Sequence, residues 1–195
     1  MAATASTMLA LGTKVPDFRL KDVVTGREIS VLSFQDKKAL LVMFICQHCP
    51  YVKHVKEELA RLGTDYVPQG VGIVAISSND AVNYPDDSPE GLKAMALELK
   101  LNYPICYDES QSVAKAYHAA CTPEFYLFDA DRKLAYRGQL DDSRPKNGLP
   151  VTGKDLRAAL DALLAGKPIA SDQKPSIGCN IKWKPGNEPD YYPHG

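Results

Sequence analysis

Apolar residues along this chain follow two rhythms, and the rhythm changes at residue 46. Ala39 to Ile45 is an unbroken apolar run, the pattern of a strand buried on both faces of a sheet. From Pro50 onward the apolar positions Val52, Val55, Leu59 and Leu62 recur at three- and four-residue steps. That spacing predicts a helix with one buried face, which Gly63 is expected to stop. A proline in the first helical turn fits, because its missing N–H would have had no intrahelical partner there. Val71 to Ser77 repeats the buried-strand pattern.

The flanking stretches complete the outline. Val15 to Leu20 reads as an extended strand, Thr25-Gly26 as a turn and Glu28 to Val31 as the returning strand of a hairpin. Ser33 to Lys38 is a polar connector. Asn79 to Ser88 is polar and rich in turn formers, and Ser88-Pro89-Glu90 is a capping signature that predicts a helix from Pro89 to Lys100. A short strand (Tyr103 to Tyr107) and a short helix (Ser110 to His118) follow. Thr122-Pro123 opens the strand Glu124 to Asp129, which turns into Lys133 to Arg137 as a second hairpin. Beyond the loop at 144–151, Thr152 caps a last helix whose core face is Leu156, Leu160, Leu163 and Leu164, ending at Gly166. This order is that of a mixed-sheet α/β fold. Residues 1–11 are expected to be a flexible leader, 12–166 one domain, and 167–195 a proline-rich, irregular C-terminal extension.

Composition narrows the function classes. The 195 residues are 45% hydrophobic with a net charge of −1. The chain can therefore bury a sizeable core, and it presents no broad basic field for nucleic acid or an acidic membrane surface. It holds no run of about 20 apolar residues of the kind that spans a bilayer. The first residues lack the basic and apolar regions of a secretory signal. Five cysteines are too sparse for a disulfide-stapled scaffold, and their odd number leaves at least one unpaired. A cytoplasmic, reducing setting with a single working pair fits this usage.

The pair is Cys46 and Cys49, two residues apart where the strand pattern gives way to the helix pattern. At a helix start the two sulfurs lie on one face, close enough to form a small disulfide ring. Unpaired N–H groups and the positive end of the helix dipole favour a thiolate there. Lowering a thiol pKa from about 8.5 to about 7 raises its thiolate fraction at neutral pH from a few per cent to roughly half. A structural zinc would need four ligands, and no second Cys-x-x-Cys is present. Pro50 rules out a haem-attachment motif. His48, between the two cysteines, is either a solvated side chain or a group that stabilises the Cys46 thiolate. Cys106 sits in an apolar strand pattern and reads as core. Cys121 is either a buried apolar side chain or a third thiol near Cys46. Cys179 is either part of an apolar anchor with Ile177, Ile181 and Trp183 or a resolving thiol carried by the tail.

Three features together, Val15-Pro16-Asp17-Phe18, Cys46-Gln47-His48-Cys49 and Thr122-Pro123, make residues 12–166 resemble the thioredoxin-like superfamily. The resemblance is to the branch that holds AhpC/TSA redoxins and thiol-disulfide reductases. It implies a central mixed β-sheet flanked by helices and a thiol-disulfide oxidoreductase acting on a disulfide-containing protein or a small thiol substrate. An electron donor would be a further partner, and no cofactor or resident metal is implied. It makes Cys46 the exposed nucleophile, Cys49 the resolving thiol, and Thr122-Pro123 a cis-proline loop offering backbone groups to an extended substrate. The Cys-x-His-Cys form is similar to the oxidising dithiols of disulfide isomerases. Two alternatives accompany this reading. A peroxiredoxin-like antioxidant peroxidase lacks its expected motif threonine, because Cys46 stands in that place. A carrier similar to Sco-type copper proteins would take Cys46, Cys49 and a distant histidine such as His118. The sequence departs from thioredoxins in having Ile45 for tryptophan before the dithiol. Leu40 stands where their buried acid aligns, so Cys49 has no obvious proton acceptor.

Overall fold

The computed structural model describes residues 3–191. In chain order its strands are β1 (Ala3–Ala5), β2 (Arg19–Lys21), β3 (Glu28–Ser30), β4 (Ala39–Phe44), β5 (Val71–Ser77) and β6 (Ile105–Tyr107). They continue with β7 (Cys121–Thr122), β8 (Glu124–Phe128), β9 (Leu134–Gly138) and β10 (Ile177–Asn180). The helices are α1 (Pro50–Tyr66), α2 (Pro89–Glu98), α3 (Ser112–Ala116) and α4 (Lys154–Leu164). The central sheet has the order β6-β5-β4-β8-β9, with β4 parallel to β5 and antiparallel to β8. The expected N-terminal hairpin is β2–β3, paired Leu20 to Ile29. This is a thioredoxin-like fold.

The apolar run of β4 has a direct explanation. Its odd positions Ala39, Leu41 and Met43 join a core with α1, α2 and α4. Its even positions Leu40, Val42 and Phe44 face a second core with Phe18, Phe34, Val113, Tyr117 and Trp183. Neither face of the strand meets water, so neither face can carry a polar residue. Leu40, at the position where a thioredoxin acid would align, is held in that second core.

Two expectations need correction. The leader is not loose, because β1 pairs antiparallel with β10, and β10 pairs with β7, giving a second sheet of order β1-β10-β7. Its small alternating residues look featureless, since the partner strand lies at the far end of the chain. The C-terminal extension, irregular in large part, contributes β10 and buries Ile181 and Trp183 in the second core. Residues 1–2 of the leader and 192–195 of the extension lie outside the described residues. No helix among the described residues is long and apolar enough to cross a membrane.

Gly63 also plays a different part from the one expected. Helix α1 runs past it to Tyr66, and the left-handed stop falls at Gly70 (φ 94°) after a short 3-10 turn. A Cβ on Gly63 would come within 2.2 Å of Asn102 Oδ1 and 2.7 Å of the Tyr103 ring, so the glycine permits close approach. Gly63→Ala should therefore lower unfolding stability by about 1–2 kcal/mol in urea titration, the cost of overpacking. A gain approaching the ~1 kcal/mol that helix propensity alone gives alanine over glycine would contradict this packing.

Candidate active site

Cys46 lies just past the end of β4, and Cys49 is the N-cap residue of α1. The chain leaves the sheet, turns through Gln47 and His48, and enters the helix at Pro50, so the two sulfurs flank the helix start. Both meet Thr122. Cys46 Sγ is 3.3 Å from the Thr122 hydroxyl, and Cys49 Sγ donates to the Thr122 carbonyl at 3.3 Å. The Thr122–Pro123 peptide bond is cis. Glu124, wholly buried, accepts from the amides of Ala120 (2.8 Å) and Cys121 (3.2 Å) and so fixes the approach to this bend. Burial holds its carboxyl above the usual range.

The resemblance implies an exposed Cys46, but both cysteines are fully buried, at 0% exposure. The reason is β10. It lies on β7 with Cys179 opposite Thr122 and Asn180 opposite Cys121, covering the strand edge beside the dithiol. The backbone edge expected to receive an extended substrate is thus paired with the chain's own tail. Cys179 is buried there, in the same core cluster as Cys46 and Cys49.

Cys49 is held well below the ordinary thiol range by its interactions with Cys179 and then Cys46, which outweigh burial, with help from the Val52 amide in the first turn of α1. Cys46 is pushed up, mainly by burial, then by its role as donor to Cys49 and by the Asp87 charge.

Asp87 was not foreseen. Its fully buried carboxylate accepts from the amides of Gln47 (2.7 Å) and His48 (3.0 Å), from His48 Nδ1 (2.5 Å) and from Asn79 Nδ2 (2.8 Å). The polar stretch expected only as a turn region therefore anchors the loop between the cysteines. His48 directs its Nδ1 at Asp87 rather than at Cys46, and its ring stacks on Tyr84 at 5.1 Å. Burial alone would raise the Asp87 carboxyl, but the hydrogen bonds from His48 and Asn79 bring it below its usual value. Cys46, His48 and Asp87 each bring one potential ligand atom within 4.8 Å of the others. The Asp87 oxygens, however, are already occupied by four donors. His118, the distal ligand a copper carrier would need, stacks on Tyr191 and joins no such group among the described residues.

Cys106 and Cys121 separate from this cluster. Burial pushes the Cys106 thiol up to about 12. Cys121 Sγ faces the carbonyls of Pro123 and Ser176, each at 3.9 Å, and reads as core.

The AhpC/TSA family profile matches residues 11–137, well over half of the chain. The chain belongs to the AhpC/TSA family. Its membership points to oxidoreductase chemistry. A solved structure of an uncharacterized conserved protein from Geobacillus kaustophilus is 58% identical, covers 95% of this chain and 98% of its own, and superposes with a TM-score of 0.93. A hypothetical protein from Sinorhizobium meliloti 1021 is 50% identical over 94% of this chain and 100% of its own, with a TM-score of 0.92. A putative thiol:disulfide interchange protein DsbE from Chlorobium tepidum, 18% identical over 80% of this chain and 99% of its own, shares the fold with a TM-score of 0.63. No curated protein matches the chain in sequence.

Removing the Asp87 carboxylate would strand four donor groups, three on the dithiol loop and Asn79 Nδ2. Asp87→Ala should cost about 3 kcal/mol at neutral pH. The folded-state pKa of Asp87 is depressed, so its contribution is present above about pH 4 and is lost as the pH falls through the folded value. Urea unfolding of both proteins at neutral pH and in acid checks this. An equal difference at both pH values would contradict the assignment.

Proposed function

We propose that this AhpC/TSA protein is a thiol-disulfide oxidoreductase working through the Cys46–Cys49 dithiol. One observation supports the reading above others: the two sulfurs flank the start of α1, and both contact Thr122 beside cis-Pro123. Cys46 passes its proton to Cys49 as it attacks one sulfur of a substrate disulfide, and the first thiol departs and takes up a proton. Cys49, readily deprotonated, then attacks Cys46 Sγ. The Cys46–Cys49 disulfide forms and the second substrate thiol leaves. Two electrons pass from the protein to the substrate, and an external thiol returns them.

The coverage of the Thr122 edge by β10 favours small disulfides over extended protein segments. The recess beside Pro123, lined in part by Tyr51, His54, Arg144 and Ile177, is about 20 Å³, room for little more than a water molecule. The sparse, unpaired cysteines suit a reducing, cytoplasmic setting.

A second reading has its own support. The Thr122 hydroxyl beside Cys46 supplies a group of the kind a peroxide-binding site needs, from a different part of the chain than the motif threonine. In that case a thiolate attacks the peroxide O–O bond and becomes a sulfenic acid as the alcohol or water leaves. The other cysteine then condenses with the sulfenic acid, forming the disulfide and releasing water.

Stopped-flow rates of the reduced protein with oxidised glutathione and with hydrogen peroxide separate the two. Disulfide exchange predicts faster oxidation by the glutathione disulfide, with Cys46→Ser slowing the reaction with oxidised glutathione by about 100-fold or more and Cys49→Ser stopping at the mixed disulfide on Cys46. Rapid oxidation by peroxide with no reaction towards disulfides would establish the peroxidase instead. Full reactivity in both serine variants would overturn the dithiol site.

A further inference from the structure

The C-terminal strand β10 raises a question that the dithiol alone does not answer. It fills the edge of β7 beside the active site, and Gly178 is what lets it come so close. A Cβ at Gly178 would lie 2.0 Å from the Thr122 carbonyl oxygen and 3.2 Å from Pro123 N. The next residue, Cys179, sits opposite Thr122, the residue that touches both Cys46 and Cys49. As the cross-strand partner of Thr122, Cys179 projects its side chain to the same face of the strand pair as the Thr122 hydroxyl that meets Cys46, and Cys179 shares one core cluster with Cys46 and Cys49. Cys46, Cys49 and Cys179 do not form a compact ligand set of the kind seen for Cys46, His48 and Asp87.

We infer that Cys179 is a third redox thiol of this centre, and that a disulfide made between Cys46 and Cys49 isomerises to one between Cys49 and Cys179. The inference rests on the proposed dithiol chemistry and extends it. The Cys179 sulfur, having given up its proton, attacks Cys49 Sγ. The Cys49–Cys179 bond forms as the Cys46–Cys49 bond breaks, and the electron pair leaves on Cys46, which takes up the proton. No electrons enter or leave, so the step needs no further oxidant. Its effect is to return Cys46 to the thiol form while the oxidation is carried on the tail strand. β10 then acts as a built-in substrate strand, occupying the edge where an external peptide would add and presenting its own sulfur there. Cys106 lies in the second core and the Cys121 sulfur faces the carbonyls of Pro123 and Ser176, so neither takes part.

Disulfide mapping by peptide mass after oxidation with oxidised glutathione and alkylation of the remaining thiols tests this. Cys46→Ser should form a Cys49–Cys179 disulfide that dithiothreitol reverses. The oxidised wild type should contain both the Cys46–Cys49 and Cys49–Cys179 linkages, and Cys179→Ser only the former. Gly178→Ala alters no thiol but pushes β10 off Thr122, and should cut the Cys49–Cys179 yield at least ten-fold while keeping Cys46–Cys49. If the wild type forms Cys46–Cys49 alone and Cys46→Ser leaves Cys179 alkylated, the relay is overturned and the dithiol reading stands. If the wild type forms no disulfide among the three, both fail together. The wild-type map carries the test even where a variant does not fold.

Discussion

The site depends on Thr122 being held against two sulfurs at once. Its hydroxyl meets Cys46 and its carbonyl meets Cys49, each at 3.3 Å, so one residue of a short strand links the end of β4 to the start of α1. The surrounding structure maintains that link. β4 is buried on both faces and cannot shift without opening one of two cores. Glu124 ties down the amides just before Thr122, and β10 closes over its outer edge. The two sulfurs are therefore held in a fixed arrangement.

Charge around the pair is divided between its two sides. On one side Asp87 holds the Gln47–His48 loop, and burial, followed by Cys49 and the Asp87 charge, pushes the Cys46 thiol up. On the other side the neighbouring thiols and the first turn of α1 hold Cys49 well below the ordinary thiol range. The histidine between the cysteines is committed to Asp87 and Tyr84, so its influence on sulfur runs through the loop it helps to hold.

Much of this was legible in the chain. The double-sided burial of β4 shows as an unbroken apolar run, and the start of α1 shows as a change of period with a proline in the first turn. The hairpins and the cis-proline bend also have local signals in Thr25-Gly26, Asp129 to Arg132 and Thr122-Pro123. What stayed hidden depends on contacts between distant parts of the chain. Asp87 lies 40 positions from Gln47, and nothing in its own polar stretch distinguishes it from Asp86. β1 and β10 form only because they meet each other and β7, and neither has a strong pattern of its own. Gly63 resembles a helix stop because a glycine needed for close packing and one needed for a left-handed turn look the same in sequence. Cys179 drew notice only as an odd thiol in a tail, and its place beside Cys49 emerges from the strand register.

The central claim is that Cys46 and Cys49 form a working redox couple. Its most direct measurement is a redox titration of the purified wild-type protein in thiol–disulfide buffers of graded potential, read by counting alkylatable thiols. The account predicts a reversible two-electron transition between the values of thioredoxin, about −270 mV, and of strong oxidants, about −120 mV. Five thiols that stay alkylatable across the whole range would contradict it.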